Sequence, residues 1–125
     1  MQKVSPSRST APSFESLRIW HDSRRLAGRI YELSKSSRDF GLRDQMRSAA
    51  VSVMSNIAEG FERRGDKEFL QFLKIASGSA GEVRSQLYIA EDVGMMERVV
   101  AQELRGEAAR LSRRIASLIE TIRKS

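Results

Sequence analysis

The stretch QMRSAAVSVMSNIAEGF, residues 45–61, combines a helical apolar pattern with a set of polar side chains. Its apolar residues recur at three- and four-residue steps, which is typical of the buried face of an α-helix. Ser48, Ser52, Ser55 and Asn56 interrupt this pattern, although such side chains compete for backbone hydrogen bonds and weaken helix interiors. We therefore expect a core-facing helix whose polar residues are compensated by a tertiary contact.

A second run, ASGSAG at residues 76–81, offers that contact. Small residues let another helix approach closely, and they would admit Asn56, together with Glu59 or Gln45, for a hydrogen bond across the gap. Such buried polar groups are predicted to be paired. A helix broken at Gly78 is the alternative, but the periodicity continues on both sides of it. We assign structural roles, in preference to a catalytic site, to these residues of the two helices: Asn56, Glu59, Gly60, Gly78, Ser79 and Glu82.

Apolar periodicity and end signals define four helices along the chain. Asp66 is predicted as the N-cap of the third helix and Gly94 as its C-terminal cap. Because the links are short and no strand signal competes, the sequence predicts an all-α, antiparallel up-down-up-down four-helix bundle. Residues 1–13, rich in Ser and Pro, are predicted to be a flexible arm, and residues 14–125 the bundle. The predicted helices run from Ser13 or Phe14 to Ser36, from Leu42 to Phe61 or Arg63, from Asp66 to Val93, and from Met95 or Glu97 to the C-terminus.

The chain carries 22 basic and 16 acidic residues, which gives a net charge of +6. Residues 14–38 and 97–125 hold most of the excess, with +3 each. Most of the basic residues are Arg, which binds phosphate through two parallel hydrogen bonds. This charge favours attraction to nucleic acid, and the alternative is a set of solvated helix faces with ion pairs. The candidate nucleic-acid-binding residues lie on the first and last helices: Arg18, Arg24, Arg25, Arg29, Arg105, Arg110, Arg113 and Arg114.

Residues that could support catalysis or metal binding form no recognisable set. The single histidine, His21, lacks a nucleophile motif around it and a Glu three residues earlier, so a surface or interface role is favoured. Glu59, Glu62 and Glu82 lack further classes of ligand, which favours structural roles over a metal site. We therefore predict a protein that is not an enzyme and uses no cofactor, metal or small-molecule substrate.

The cellular location is also constrained by composition. The chain has no cysteine, which is compatible with a reducing compartment. No apolar run approaches the roughly 20 residues needed to span a bilayer, and the N-terminus lacks the apolar core of a signal peptide. A cytoplasmic protein without a membrane partner is expected.

Two runs are specific enough to indicate a family: NIAEGFER, residues 56–63, and KEFLQFLKIASGSAGE, residues 67–82. They resemble the four-helix bundle proteins often called ribosomal RNA intervening-sequence proteins, a family that includes the accessory variability determinant of diversity-generating retroelements. The resemblance implies an antiparallel four-helix fold and a ring-like homopentamer. For the retroelement branch, it also implies a basic surface that engages nucleic acid and a reverse transcriptase.

The leading hypothesis is a non-enzymatic homo-oligomeric module that binds RNA or DNA through phosphate contacts. Trp20 and Tyr31 are expected in the core, which leaves little aromatic surface for reading bases. Weak sequence preference and steep salt dependence are therefore predicted. The alternative is a protein interaction scaffold, for example an accessory protein that docks a reverse transcriptase, with the net charge serving solubility.

Overall fold

The computed structural model describes residues 13–125, which form a short 3₁₀ turn and four α-helices. This range contains no β-strand, so the predicted all-α fold class is confirmed. The predicted arm, residues 1–13, lies outside the described residues except for Ser13, which precedes the 3₁₀ turn. Within residues 13–125, no helix combines the length and the apolarity needed to cross a membrane. The elements are the 3₁₀ turn Phe14–Ser16 and the helices α1 Arg18–Leu33, α2 Phe40–Glu62, α3 Asp66–Asp92 and α4 Arg98–Lys124.

Helix α1 is shorter than predicted at both ends. Leu17 has an extended backbone (φ −88°, ψ 126°), which separates Phe14 and its 3₁₀ turn from the helix while the Leu17 side chain is buried in the core. At the other end, the Ser34 hydroxyl donates to the Ile30 carbonyl at 2.6 Å. Serine side chains that compete in this way for helix carbonyls favour helix ends, so α1 stops at Leu33, three residues before the predicted end.

The starts of α2 and α3 use different caps. Helix α2 has a side-chain cap, in which Asp39 Oδ1 accepts the Leu42 N–H at 3.0 Å. In α3 the N-cap is Gly65, in an extended conformation, and Asp66 is the first helical residue, so the prediction of Asp66 as the N-cap is wrong. The acidic first turn is confirmed, because Asp66 and Glu68 both lie there, next to the positive end of the helix dipole.

Helix α3 runs without a break through Gly78, as its periodicity predicts. Just beyond the helix, Gly94 has a φ of 79°, a left-handed conformation that glycine adopts without steric cost. The Gly94 N–H donates to the Glu91 carbonyl at 3.1 Å, and the Met95 N–H donates to the Ala90 carbonyl at 2.9 Å. These two bonds form a Schellman motif, so the predicted role of Gly94 in ending the helix is confirmed.

One apolar core lies between the four helices, and each helix contributes fully buried side chains. Phe61 and Phe69, on either side of the α2–α3 link, meet edge to face with their ring centroids 5.8 Å apart. Full burial of a large apolar side chain contributes about 1.5–3 kcal/mol, so this core is the main source of stability. The largest buried side chains are Leu26 and Ile30 of α1, Met46, Ile57 and Phe61 of α2, Phe69, Leu73 and Leu87 of α3, and Leu104, Leu111 and Ile115 of α4.

Helices α2 and α3 pack along their length. Ser52 lies against Ser79, and the Gln45 carbonyl lies 3.5 Å from Gln86 Nε2. Helix α3 also packs on α4, while α1 packs on α2 and meets α4. Each helix therefore has two helical neighbours, which explains why its apolar stripe is wide.

Tyr31 lies outside the core, contrary to prediction. Its neighbour Ile30 takes the buried position of that turn, and one further residue rotates the chain by about 100° around the helix axis. Tyr31 is consequently 45% exposed and faces Arg47 of α2. Trp20 is partly buried and packs against the core. The α1–α2 side of the bundle therefore presents more aromatic surface than the sequence suggests.

Candidate nucleic-acid interface

The α1–α4 surface gathers arginines around one carboxylate, Asp22. Arg114 of α4 donates from Nη1 to Asp22 Oδ2 at 2.7 Å, and Arg25 donates from Nη2 to Oδ1 at 2.8 Å. Arg18 lies one turn earlier on α1, with Nε 3.8 Å from Oδ2. The Asp22 side chain is only 12% exposed beneath them. Three guanidinium groups share one carboxylate, so this cluster keeps an excess of positive charge.

Arg29 joins α1 to α4 within the same surface. Its Nη1 donates to Glu103 Oε1 at 2.6 Å and to Glu107 Oε2 at 2.9 Å. The hydrogen bond to Glu103 raises the pKa of Arg29 by more than burial lowers it, so the guanidinium stays charged throughout the physiological range. Because two carboxylates surround this one cation, Arg29 serves the helix contact and offers little to an anionic ligand.

Arg110 lies beside the Asp22 cluster. Together with residues that include Asp22 and Glu107, it lines a shallow cavity of about 210 Å³ between α1 and α4. In the part of the chain that the structure describes, no carboxylate forms an ion pair with Arg24, Arg110 or Arg113, and all three are exposed. These three arginines therefore keep their full charge.

Arg105 lies on the side of α4 that faces α3. It donates from Nη1 to Glu91 Oε1 at 3.0 Å, and its guanidinium lies 4.1 Å from the ring centroid of Tyr88. With its side chain only 14% exposed, Arg105 belongs to the α3–α4 contact. The predicted arginines therefore do not form one surface. The structure brings together Arg18, Arg25, Arg29, Arg110 and Arg114, and it places Arg24 beside Trp20 and Arg105 against α3. Arg113 is exposed and lies three residues after Arg110, on the same side of α4.

Ser52, Asn56 and Glu59 of α2 are paired, but not in the predicted way. Across the α2–α3 gap, the hydroxyls of Ser52 and Ser79 share a hydrogen bond of 2.8 Å. Asn56 donates from Nδ2 to the Ser52 carbonyl at 2.8 Å and to Ser52 Oγ at 3.0 Å, within its own helix. Glu59 pairs at 2.9 Å with Arg63, directly after the end of α2. The prediction that Asn56 or Glu59 bonds across the gap is wrong, because the two serines meet directly and Asn56 orients one of them.

The closest approach of α2 and α3 lies at Gly60. A Cβ on this residue would lie 2.5 Å from Phe72 Cβ, so only glycine fits there without rearrangement. At Gly78 a Cβ would meet nothing within 4 Å. Glu82, also in the small-residue run, is exposed, with its Oε2 3.5 Å from Gln86 Nε2. A tight α2–α3 contact therefore exists, but the prediction that Gly78 makes it is wrong.

Sequence reasoning missed Arg47 of α2, which closes the end of α1. Its Nε donates to Ser34 Oγ and its Nη2 to the Tyr31 carbonyl, both at 3.0 Å. Arg43, one turn earlier, lies 4.7 Å from the ring centroid of Phe40. The sequence pattern that could have identified these arginines is the alternation of Arg with Tyr and Phe around the α1–α2 link. The net charge of the segment does not point to these arginines, because α2 and its flanks carry as many acidic as basic residues.

The described residues hold no group of three or more His, Cys, Asp or Glu side chains placed to bind a metal ion. His21 is exposed, and its Nε2 lies 2.5 Å from the Glu15 carbonyl oxygen. This contact ties the start of α1 to the 3₁₀ turn. The surface location predicted for His21 is therefore confirmed.

A family model described as 23S rRNA-intervening sequence protein matches residues 15–117, from the 3₁₀ turn well into α4. The chain belongs to this family. The resemblance seen in the sequence is confirmed, and its two signature runs carry the Gly60–Phe72 contact and the Ser79 hydroxyl that bonds Ser52. In this family member the signature residues therefore hold α2 to α3. Among curated proteins, no sequence matches the chain.

Proposed function

We propose that the chain is a non-enzymatic, homo-oligomeric module that binds RNA or DNA through phosphate contacts with little sequence preference. The observation that carries the proposal is the α1–α4 surface, where Arg18, Arg25 and Arg114 share the carboxylate of Asp22. Guanidinium groups bind phosphate oxygens through paired hydrogen bonds, and such contacts carry no base information. Membership of a family named for an rRNA intervening sequence supports association with nucleic acid.

The same surface is organised before a ligand arrives. Asp22 holds its arginines in fixed positions, which lowers the entropy lost when a phosphate binds to them. Arg110, at the adjacent cavity, supplies a charge that no ion pair within residues 13–125 neutralises. A phosphate in that cavity would meet Arg110 and the arginines around Asp22, beside the carboxylate of Glu107, which Arg29 holds.

We infer that the bundle has the up-down-up-down, antiparallel arrangement. Asp22 meets Arg114, whereas Arg29, later on α1, meets Glu103, which is earlier on α4. The order of these pairs supports opposite directions for α1 and α4, as the serine and glutamine pairs do for α2 and α3.

We further infer that the copies assemble as a homopentamer through the α2–α3 face. Ile75 and Ile89 of α3 and Val93, directly after α3, are exposed, which is unfavourable for large apolar side chains unless another surface covers them. Gln86 Oε1, on the same face, is buried without a hydrogen-bond partner among the described residues. A neighbouring copy could bury the apolar side chains and supply a donor. Five copies at +6 each would carry about +30, a field strong enough to hold nucleic acid without base readout.

Light scattering combined with a salt-titrated mobility shift on one purified sample tests this function. We expect a mass of five 14.1 kDa chains, and an affinity for mixed-sequence RNA that falls by about tenfold or more between about 50 and 200 mM salt. Undetectable binding at low salt, or an affinity that salt leaves unchanged, would contradict the nucleic-acid function. The mass of a single chain would contradict the assembly.

A protein interaction scaffold, for example one that docks a reverse transcriptase, is the second candidate, and the exposed apolar side chains of α3 favour it. The variant Ile75→Asp/Ile89→Asp separates the two candidates. A scaffold predicts unchanged RNA affinity with loss of reverse transcriptase capture. The nucleic-acid module predicts a smaller particle by light scattering and weaker RNA binding, since fewer arginines then act together.

A further inference from the structure

On the side of the bundle formed by α1 and α2, exposed aromatic rings alternate with arginines. Tyr31 is 45% exposed and Phe40 is 58% exposed. The guanidinium of Arg47 lies 4.4 Å from the ring centroid of Tyr31, and that of Arg43 lies 4.7 Å from the ring centroid of Phe40. Because the two arginines are four residues apart, they share one face of α2. Phe40, Arg43, Arg47 and Tyr31 thus form a row, which we call the α1–α2 row.

The arginines of the α1–α2 row keep much of their charge. Arg47 donates to two neutral acceptors, the Ser34 hydroxyl and the Tyr31 carbonyl, so it is held in place without being neutralised. Arg43 pairs with the exposed carboxylate of Asp44 at 3.0 Å, where solvent weakens the attraction. The row therefore offers fixed positive charge directly beside open ring surface.

Arg24 extends this surface along α1. It lies seven residues before Tyr31, which is about two helical turns or about 10 Å along the same side of the helix. Its guanidinium lies 5.7 Å from the ring centroid of Trp20, and no carboxylate within residues 13–125 pairs with it. A chain of nucleotides that contacted the row would therefore find another cation along α1.

We propose that the α1–α2 row binds single-stranded nucleic acid, with unpaired bases stacked on Tyr31 and Phe40 and phosphates held by Arg43, Arg47 and Arg24. This inference rests on the proposed function and specifies the form of nucleic acid that is bound. Aromatic rings and guanidinium planes stack on any base, which agrees with weak sequence preference. Bases in a duplex are stacked on one another and cannot reach the rings, so single strands are preferred.

The row suits this ligand better than an acidic protein segment. The faces of aromatic rings carry negative charge density and repel carboxylates, so Tyr31 and Phe40 would add nothing to an acidic partner. A nucleotide supplies both complementary groups, a phosphate for the arginines and a base for the rings. The side-by-side placement of rings and guanidinium groups therefore favours nucleic acid.

Fluorescence anisotropy with a labelled RNA of about 16 nucleotides tests the proposal, with the RNA as a single strand lacking self-complementarity or as a duplex. The double variant Tyr31→Leu/Phe40→Leu removes both rings and keeps apolar bulk. We expect the unmodified protein to bind the single strand about tenfold or more tighter than the duplex. The double variant should lose about tenfold or more in affinity for the single strand and less than about twofold for the duplex.

Tyr88→Leu is the matched control. Tyr88 is 57% exposed on α3 and lies under Arg105, whose charge is paired with Glu91. Its loss should leave affinity for the single strand unchanged. Both Tyr31 and Phe40 are exposed, so the double variant should also unfold at the same temperature as the unmodified protein.

Equal affinity for single strand and duplex, or unchanged single-strand affinity in the double variant, would overturn the α1–α2 row as a binding site while leaving phosphate binding at the α1–α4 surface intact. If the double variant changes the mass in light scattering but not RNA affinity, the row contacts another protein chain and the proposal is wrong. If neither RNA binds the unmodified protein, the proposed function fails and the row proposal fails with it.

Discussion

The α1–α4 surface and the α2–α3 contact join helices of one bundle by different forces. At the α1–α4 surface, partly exposed ion pairs such as Asp22–Arg114 cross between the helices. At the α2–α3 contact, Gly60 lies against Phe72, and the hydrogen bond between Ser52 and a serine of α3 joins the helices. Ion pairs are screened by salt, whereas close packing depends on shape. The comparison indicates that the residues that stabilise the fold and the residues that carry charge for a ligand lie in different parts of the molecule. The tightly packed α2–α3 contact has little charge to offer a ligand.

The largest effect on stability is expected from Gly60→Ala in the α2–α3 contact. The new Cβ would lie 2.5 Å from Phe72 Cβ, and overpacking of this kind costs about 1–3 kcal/mol. Alanine's better helix propensity offsets part of this, so we expect a net loss of about 1–2 kcal/mol in the free energy of unfolding. Denaturant titration at low and high salt measures it, and the loss should be the same at both.

Gly78→Ala is the control for that substitution. Its Cβ would meet nothing within 4 Å, so helix propensity alone should act and add about 0.5–1 kcal/mol of stability. If both substitutions change stability by the same amount, the close approach at Gly60 is not what holds α2 to α3.

A smaller effect of a different kind is expected from Asp22→Asn at the α1–α4 surface. Removing the carboxylate leaves Arg18, Arg25 and Arg114 without their shared partner, which should cost about 1 kcal/mol at low salt and less at high salt. RNA affinity should rise at the same time, because the loss of a carboxylate that competes with phosphate outweighs the loss of the order that Asp22 gives to its arginines. Asp92→Asn, an exposed position at the end of α3, makes the same charge change away from the cluster.

Two results would contradict this account of Asp22. One is weaker RNA binding by Asp22→Asn at unchanged stability, which would mean that the order Asp22 gives to its arginines matters more than its competition with phosphate. The other is an equal gain in affinity from both variants, which would mean that only net charge matters.

The smallest effect is expected from Ser79→Ala. The substitution removes one partly buried hydrogen bond, to Ser52, which contributes about 0.5–1.5 kcal/mol. Alanine's better helix propensity offsets part of this, so we expect a net loss of about 0.5 kcal/mol. Thermal unfolding measures the loss, which salt should not change. Ser85→Ala, at an exposed serine of the same helix, should have little effect. A greater loss from the exposed serine would show that the Ser52–Ser79 bond adds nothing to the contact.

Much of the fold could be predicted, because apolar periodicity reports burial directly. The run from Met46 to Phe61 marks the core side of α2, and its regularly spaced apolar residues are buried. The end of α3 was predictable because Gly94 follows it, and glycine readily adopts the positive φ that often ends a helix. Helix starts were less predictable: the extended Leu17 and the cap at Gly65 depend on tertiary packing that the sequence shows only indirectly.

The candidate sites were less predictable, because a charge count does not show which charges are paired. Arg29 and Arg105 look like other exposed arginines in the sequence, yet carboxylates of other helices hold both. Arg47 lies in a stretch with no net charge, and only its contact with Tyr31 reveals a possible role. Whether two charged side chains on different helices form an ion pair depends on the register and the rotation of the helices. The periodicity of the sequence predicts the positions of buried apolar residues far better than those of exposed charged residues.

The central claim, that the α1–α4 surface binds nucleic acid, is tested most directly by two charge reversals of equal size. Arg110→Glu/Arg113→Glu/Arg114→Glu alters α4, and Lys67→Glu/Lys74→Glu/Arg84→Glu makes the same change in net charge on exposed residues of α3. With both variants shown to be folded, mobility shift at low salt should give a loss of roughly a hundredfold in RNA affinity for the α4 variant and less than about tenfold for the α3 variant. Equal losses from both variants, or a larger loss from the α3 variant, would contradict the claim.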